Sequence, residues 1–366
     1  MNTRTLLTAG MALTLVGQAG CAYHAKHYGP PSIVADRITY NTAVATSWKE
    51  QTLLNIVKLR YMDTPFFVDV PQITGGYTLQ TAAGANAGIY PPLNPLASFA
   101  QQLGLTLNFQ AAYQDRPTIS YTPQTGSQFI RNLTQPVNPG SVLFLLQSGY
   151  PADVVFGLTV DSINGVRNQS VTGGQVRPAD PEFDRIVKAL RRAQISGHVG
   201  IRVEHEKDKK DAVTFFFRDQ DLDPDLAEEL AQVRRTLKLD PARGDFRVAF
   251  GAAASQPNEI AVLSRSVLRV LSELATHVHP PPEHVASGIV PDLGAVPHDP
   301  QTPLQVYSSP TPPVDPFVAV CYEGYWFWID KSDFRSKRTL SYLLVLLALA
   351  DTGAKESLPV ITISAN

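Results

Sequence analysis

Apolar residues fall at helical spacing in several stretches of the chain and alternate at a period of two in others. The first helical stretch is Asp36 to Tyr61, which lacks Pro and Gly. Leu53, Leu54, Val57 and Tyr61 lie on one stripe, Trp48 lies near its extension, and Lys49, Glu50, Lys58 and Arg60 are free to face water. Thr64-Pro65 ends it, because the residue before a proline avoids helical dihedrals. Alternation then marks strands at Phe66–Val70, at Tyr77, Leu79 and Thr81, and again at Leu105, Leu107, Phe109, Ala111 and Tyr113, followed by Ile119 and Tyr121. Between them, residues 82–104 are rich in Ala, Gly, Asn and Pro and carry no charge. They read as a long uncharged hairpin tip.

Three short helices are predicted at Gln128–Leu133, Ser141–Ser148 and Ala152–Val166, punctuated by Pro136, Pro139 and Pro151. A basic helix follows at Phe183–Gln194, then a strand pair at Val199–Glu204 and Val213–Phe217, with a charged turn at Lys207–Asp211. Asp223 opens a helix from Pro224 to Leu239, and Phe246–Phe250 is another strand. Asn258 is read as the cap of a helix to His277, with Ile260, Leu263, Val267, Leu268, Leu271 and Leu274 as its stripe. After a Pro-rich stretch, Phe317–Tyr322 and Tyr325–Asp330 form a hairpin across Glu323-Gly324. A helix from Asp333 to Ala350, apolar nearly all round at its end, and a strand at Pro359–Ser364 close the chain.

Strands and helices in this order predict an α+β fold, with mixed or antiparallel sheets covered by helices. Two domains are expected, residues 36–170 with the long hairpin and residues 180–366, joined through the linker-like Gln169–Ala179.

The N-terminus changes the picture. Arg4 is the only charged residue before Lys26, and Leu6 to Val16 is apolar or small, too short to span a bilayer. A positive start, a short apolar run and a small-residue exit are the parts of a secretory signal, here residues 1–20. The exit Gln18-Ala19-Gly20-Cys21 resembles the bacterial lipoprotein signal, with Gln18 where that pattern has an aliphatic residue. The resemblance implies cleavage before Cys21 and acylation of Cys21, a palmitate-type anchor followed by a lipidated tether over residues 21–35. Several acyl chains make a membrane attachment stable where one does not. Ala22, in place of the Asp that retains such proteins at the inner membrane, implies the outer membrane, on its periplasmic side.

With Cys21 acylated, Cys321 has no partner, so the exported body is stabilised by core packing. A chain of 366 residues at 44% hydrophobic has the means. Its 31 basic and 33 acidic residues leave no field to recruit nucleic acid.

Candidate chemistry is sparse. His24 and His27 sit in the tether. His277, His279 and His284 have imidazole spacing that a metal uses, but the prolines between them break the helix. Glu323 with Asp330 and Asp333 is the only carboxylate set suggestive of a glycosidase, and each has a turn or cap role. Ser162 and Asp161 have no His nearby in sequence. No Gly-rich phosphate loop, Cys-pair metal motif or nucleophile elbow occurs, so no catalytic residue, cofactor or metal ligand is assigned. Two clusters suit an interface: the aromatic hairpin residues Tyr325, Trp326 and Trp328, bulky on both faces, and Arg335, Lys337 and Arg338, cations opposed to the dipole at a helix start.

Several blocks together resemble a family of uncharacterised bacterial lipoproteins: Leu53–Tyr61 with Asp63–Phe67, Pro117–Pro123, Asp161–Gly165, Pro281–Val285, and Tyr325–Asp330 with Arg335–Arg338. The resemblance spans roughly residues 40 to 350 and implies the anchor and one shared architecture, without an activity. The expected function is a membrane-anchored lipoprotein serving as a structural, assembly or interaction subunit of the cell envelope, with an envelope protein or further copies as partner. Two other readings remain: an oligomeric outer-membrane translocation component that uses the 66–121 hairpin, and a periplasmic hydrolase of envelope polymers acting through Glu323 or His284.

Overall fold

The structure is a computed structural model that describes residues 30–74, 77–89, 103–115, 117–172, 175–204, 212–293 and 302–350. The expected signal peptide, Cys21, most of the tether, the turn at 207–211 and the final strand lie outside the described residues. The fold is α+β. The chain divides into two compact units, one of residues 1–65 and 125–366, the other Phe66–Gln124.

The larger unit is built on a six-stranded sheet in the order β6-β5-β12-β11-β10-β9. Its strands are β5 (Val160–Ile163), β6 (Val166–Arg167), β9 (Val199–Glu204), β10 (Ala212–Phe217), β11 (Asp245–Phe250) and β12 (Glu259–Ser264). Only β11 and β12 pair parallel; every other ladder is antiparallel. A small β7–β8 hairpin (Ser170–Thr172, Gln175–Arg177) follows β6. The helices α3 (Pro139–Gln147), α4 (Ala152–Thr159) and α5 (Pro181–Ile195) pack on the sheet, and α6 (Pro224–Thr236) packs on α5. Phe183, Ile186 and Leu190 of α5 are buried, as the sequence stripe requires.

A second layer lies around α1 (Pro30–Arg60). Its C-terminal half buries Leu53, Ile56 and Val57 completely. It packs on α7 (Val267–Ala275) and on a three-stranded sheet of order β13-β15-β14 (Tyr307–Ser309, Tyr325–Ile329, Val318–Tyr322). The short α2 (Gly126–Thr134) also lies on α7. α9 (Phe334–Ala350) buries Leu340, Tyr342, Leu343 and Leu346, and packs on α1 and α7. One side of the apolar final helix is therefore covered by other helices of its own chain, while Phe334 and Leu349 stay exposed.

Two predicted helices are partly strand. The expected helix Ala152–Val166 stops at Thr159. Val160–Ile163 is β5, which turns through Asn164-Gly165, both at positive φ, into β6. Asn and Gly at those two positions are what a tight hairpin turn demands. The expected helix from Asn258 begins only at Val267, capped by the Ser266 hydroxyl, which accepts from the Arg269 N–H at 3.3 Å. Residues Glu259–Ser264 are instead the central strand β12. Ile260, Ala261 and Val262 are consecutive and all buried, the mark of a strand covered on both faces. A short apolar run buried all round has no period of its own, and Ile260 and Leu263 happen to continue the stripe of the helix that follows. The Pro-rich stretch after α7 also contains a short α8 (Pro282–Ala286) and β13.

The smaller unit is a long antiparallel hairpin. β1 (Phe67–Thr74) pairs with β4 (Thr118–Gln124), and β2 (Tyr77–Ile89) pairs with β3 (Leu103–Asp115). Residues 82–89 and 103–104 of the expected loop 82–104 are thus ladder; residues 90–102 lie outside the described residues. Its Ala, Gly and Asn residues, poor strand formers, hid the alternation.

Candidate functional site

The hairpin is built in two halves. The β1–β4 half is solvated. Along β4 every residue from Thr118 to Pro123 is exposed, and Pro71 of β1 falls where the ladder is irregular, a place a strand proline tolerates. Its ladder shifts register between Asp69 and Gln72. The β2–β3 half is different. From Val70 to Gln114 the sequence holds no charged residue, and β2 and β3 are 13 residues each.

The pairing register sorts this half into two unlike faces. Leu79 pairs with Tyr113, Thr81 with Ala111, Ala83 with Phe109, Ala85 with Leu107, Ala87 with Leu105 and Ile89 with Leu103. Those positions share one face, which is apolar almost throughout. The intervening pairs are Thr78 with Gln114, Gln80 with Ala112, Ala82 with Gln110, Gly84 with Asn108 and Asn86 with Thr106. That face is polar but uncharged. From Leu79 to Ile89 the rise is about 33 Å at the usual strand spacing. Tilted by about 40°, it covers a band of about 25 Å, the height of the apolar belt of a membrane barrel. The two strands pair only with each other among the described residues. A two-stranded ribbon leaves two unpaired edges and is marginal in water by itself.

A second constellation closes the end of α1. The Tyr61 hydroxyl lies 2.8 Å from Nδ1 of His284 on α8. The Tyr61 ring meets His284, Tyr322 and Phe327 edge-on at 5.8, 5.2 and 5.9 Å. Tyr325 stands edge-on to His284 at 4.9 Å and donates its hydroxyl to Glu283. Tyr322 donates to Asp63 at 3.0 Å, and Lys58 lies 3.7 Å from the same carboxylate. Burial pushes the Tyr61 phenol well above the usual tyrosine range. Burial and the bond to Asp63 push Tyr322 up to about 12. The bond to Glu283 raises Tyr325 and holds the Glu283 carboxyl below its usual range. The chemistry these residues make is a phenol–imidazole–carboxylate lock between α1, α8 and the β14–β15 turn.

The predicted interface residues are dispersed. Tyr325 belongs to this lock. Trp326 and Trp328 occupy the opposite face of β15, both half-buried, with Trp328 tilted on Tyr307 at 5.8 Å and His279 stacked on Tyr307 at 6.1 Å. The buried face of the same sheet carries Val318, Val320, Phe327 and Ile329. Arg338 finds a carboxylate within the fold, 3.6 Å from Asp153, which also lies 3.7 Å from Arg191. Lys337 donates to the Lys331 carbonyl at 3.1 Å and shares the Phe317 ring with Lys49, at 5.4 and 4.9 Å. Arg335 and Arg338 line a surface groove of about 1390 Å³ together with Asp153 and His277.

The three histidines take separate partners or none: His284 takes Tyr61, His279 takes Tyr307, and the Nδ1 of His277 is closed off without a hydrogen bond. Among the described residues no group of three or more His, Cys, Asp or Glu is placed to hold a metal. Glu323 sits in the turn before β15. Asp330 and Asp333 follow that strand, Asp330 accepting from Ser332 and Asp333 from the Ser336 N–H at 3.0 Å. Cys321 is a free, exposed thiol.

One feature escaped sequence reading altogether. Arg265 is buried to 1% exposure, 3.3 Å from Asp161, and donates to the carbonyls of Gly157, Leu158 and Gln169. Arg269 reaches Asp161 at 3.2 Å and Ser170 at 2.9 Å, and Gln169 donates to Glu273 at 2.7 Å. This network ties the β6–β7 segment to α7. Asp161 was visible in the sequence, but its partner lies 104 positions away.

No helix among the described residues is long and apolar enough to cross a membrane. No known protein family, curated protein or solved structure matches the chain.

Proposed function

We propose that the chain is a lipid-anchored subunit of an outer-membrane assembly, several copies of which each contribute the β2–β3 hairpin to a shared translocation barrel. The observation that carries this reading is the hairpin register, which beyond the Tyr77–Asp115 pair at its base separates an uncharged ladder into one apolar and one polar face over the height of a membrane belt. Closure of hairpins from several copies satisfies both free edges of each ribbon, which hydrocarbon demands of every backbone group. The apolar face then meets lipid, and the Thr, Gln and Asn face lines the lumen. The predicted acyl group on Cys21 holds each subunit at the membrane surface from the periplasmic side and raises its local concentration there.

The test is reconstitution of the acylated mature chain into vesicles holding an entrapped dye. Dye release that disappears on deletion of Tyr77–Asp115, with the anchored body still folded, supports the reading. An intact chain that releases no dye at any protein-to-lipid ratio, and whose hairpin stays open to protease beside the vesicles, overturns it. Incorporation of labelled fatty acid, lost in Cys21→Ser, tests the anchor separately.

A further inference from the structure

The first half of α1 exposes a stripe of apolar side chains. α1 has 31 residues. From Ser47 onward it approaches the body, with Lys49 over the Phe317 ring and Thr52, Leu53 and Asn55 buried. Before that, Val34 is 65% exposed and Ile38 64%, and Trp48, at the junction, is 42% exposed. These residues are not scattered. Val34, Ile38, Asn41, Ala45 and Trp48 follow one another at steps of four and three, and the same steps continue into buried Thr52 and Asn55. One stripe therefore runs the length of the helix, covered by the body at its end and uncovered at its start. From Val34 to Trp48 the exposed part of the stripe is about 21 Å long at the helical rise.

We propose that this stripe is the contact between neighbouring copies of the chain, Val34, Ile38, Ala45 and Trp48 packing against the corresponding helix of the next subunit. Three observations select that occupant. The four-three step is the seam of a coiled coil, narrower than the broad face of a helix lying on lipid. The only charged residues of α1 before Ser47 are Asp36 and Arg37, of opposite sign, so this part lacks the basic face that an anionic lipid surface selects and does not repel a second copy of itself. Asn41 sits in the seam, where a polar residue sets register between helices of one kind. The inference rests on the reading of the protein as a multi-copy assembly and supplies the contact that brings the hairpins together.

The experiment uses the full mature chain in detergent, in a Cys321→Ser background. Ile38→Cys is expected to cross-link copies on oxidation, and Ser47→Cys, on the opposite side of the helix, is not. The pair Val34→Glu and Ile38→Glu is expected to raise the concentration for half-assembly by at least about tenfold, equivalent to about 1.4 kcal/mol, while thermal unfolding of the body is unchanged because both residues are exposed. Assembly mass unchanged in the Glu variants, or cross-linking from Ser47→Cys as efficient as from Ile38→Cys, overturns the proposal. Dye release separates it from the barrel reading. Copies that associate through Ile38 without releasing dye leave the helix contact standing and the barrel fallen; release that survives the Glu variants does the reverse.

Discussion

The hydroxyl of Tyr61 and the Nδ1 of His284 lie 2.8 Å apart, joining the last turn of α1 to a helix 223 positions further along the chain. The pair sits under Tyr322 and Phe327, so the ring of Tyr61 serves packing and its oxygen serves His284. Tyr61→Phe keeps the ring and strips the bond, and is expected to cost about 1 kcal/mol. Tyr61→Ala removes both and is expected to cost about 3–5 kcal/mol. Urea unfolding of the two variants measures the difference; equal costs would show that the hydrogen bond carries the junction.

Stability is expected to fall at alkaline pH through the same cluster. Tyr61, Tyr322, Tyr325 and Tyr342 all hold their protons more tightly folded than unfolded, Tyr322 up to about 12 against an ordinary value of 10.0. Below pH 10 both states are protonated and the contribution is complete. Between 10 and 12 the unfolded chain loses protons that the folded chain keeps, so unfolding free energy declines as pH rises. Tyr322→Phe should flatten the decline in a pH series of melting temperatures.

His277 gives the opposite limb. Burial lowers its imidazole from 6.5 to about 4. Above pH 6.5 it is neutral in both states. As pH falls towards 4 the unfolded chain takes a proton that the folded chain refuses, and stability drops. Part of the ring remains at the surface, which holds the loss to the order of 1–2 kcal/mol. His277→Gln should remove this dependence and leave the alkaline limb in place.

Arg265 and Asp161 should respond unequally to substitution. Removing the carboxylate in Asp161→Ala leaves a buried guanidinium without its counter-ion and is expected to cost about 3–5 kcal/mol. The double change Asp161→Leu with Arg265→Met replaces the pair by apolar groups and should cost less than the single change. A denaturation series in which the double variant is the weaker protein would contradict this.

Asn164 sits at φ 47° in the β5–β6 turn. It donates to the carbonyls of Leu237 and Glu259 at 2.7 and 3.2 Å and accepts from the Ala261 N–H at 2.6 Å. Asn164→Ala loses these bonds and strains the backbone, and is expected to cost about 2–4 kcal/mol. Asn164→Gly relieves the strain alone and should recover about 1 kcal/mol of it.

The hairpin should tolerate charge on one face only. Leu107→Arg places a cation on the apolar face near the middle of the ladder, where lipid exposure costs about 2–4 kcal/mol. Thr106→Arg places it on the polar face. Dye release is expected to fail for the first and persist, with altered ion selectivity, for the second. Equal loss for both would remove the distinction between the faces.

Much of the α+β fold was legible because local periodicity and local burial agree. The α5 stripe, the Glu323-Gly324 turn and the Asp223-capped start of α6 are each decided within a few residues. The helix–strand errors fell where they disagree. Ile260–Val262 is buried on both faces by neighbours in the sheet, which erases any period. The alternation in β2 was masked by Ala and Gly.

Sequence alone determined the composition that matters most here: an export signal as expectation, an uncharged stretch over residues 82–104, and a long helix from Asp36 to Tyr61 without Pro or Gly. Tertiary structure decided what those patterns mean. Strand register is set by pairing across the hairpin, so only the ladder could show that apolar residues face apolar residues. Burial is set by what packs on an element, so only the folded body could show that one stripe of α1 is covered at its end and bare at its start. Partners 104 and 223 positions apart, Arg265 with Asp161 and Tyr61 with His284, arise from chain topology, and no local pattern encodes them.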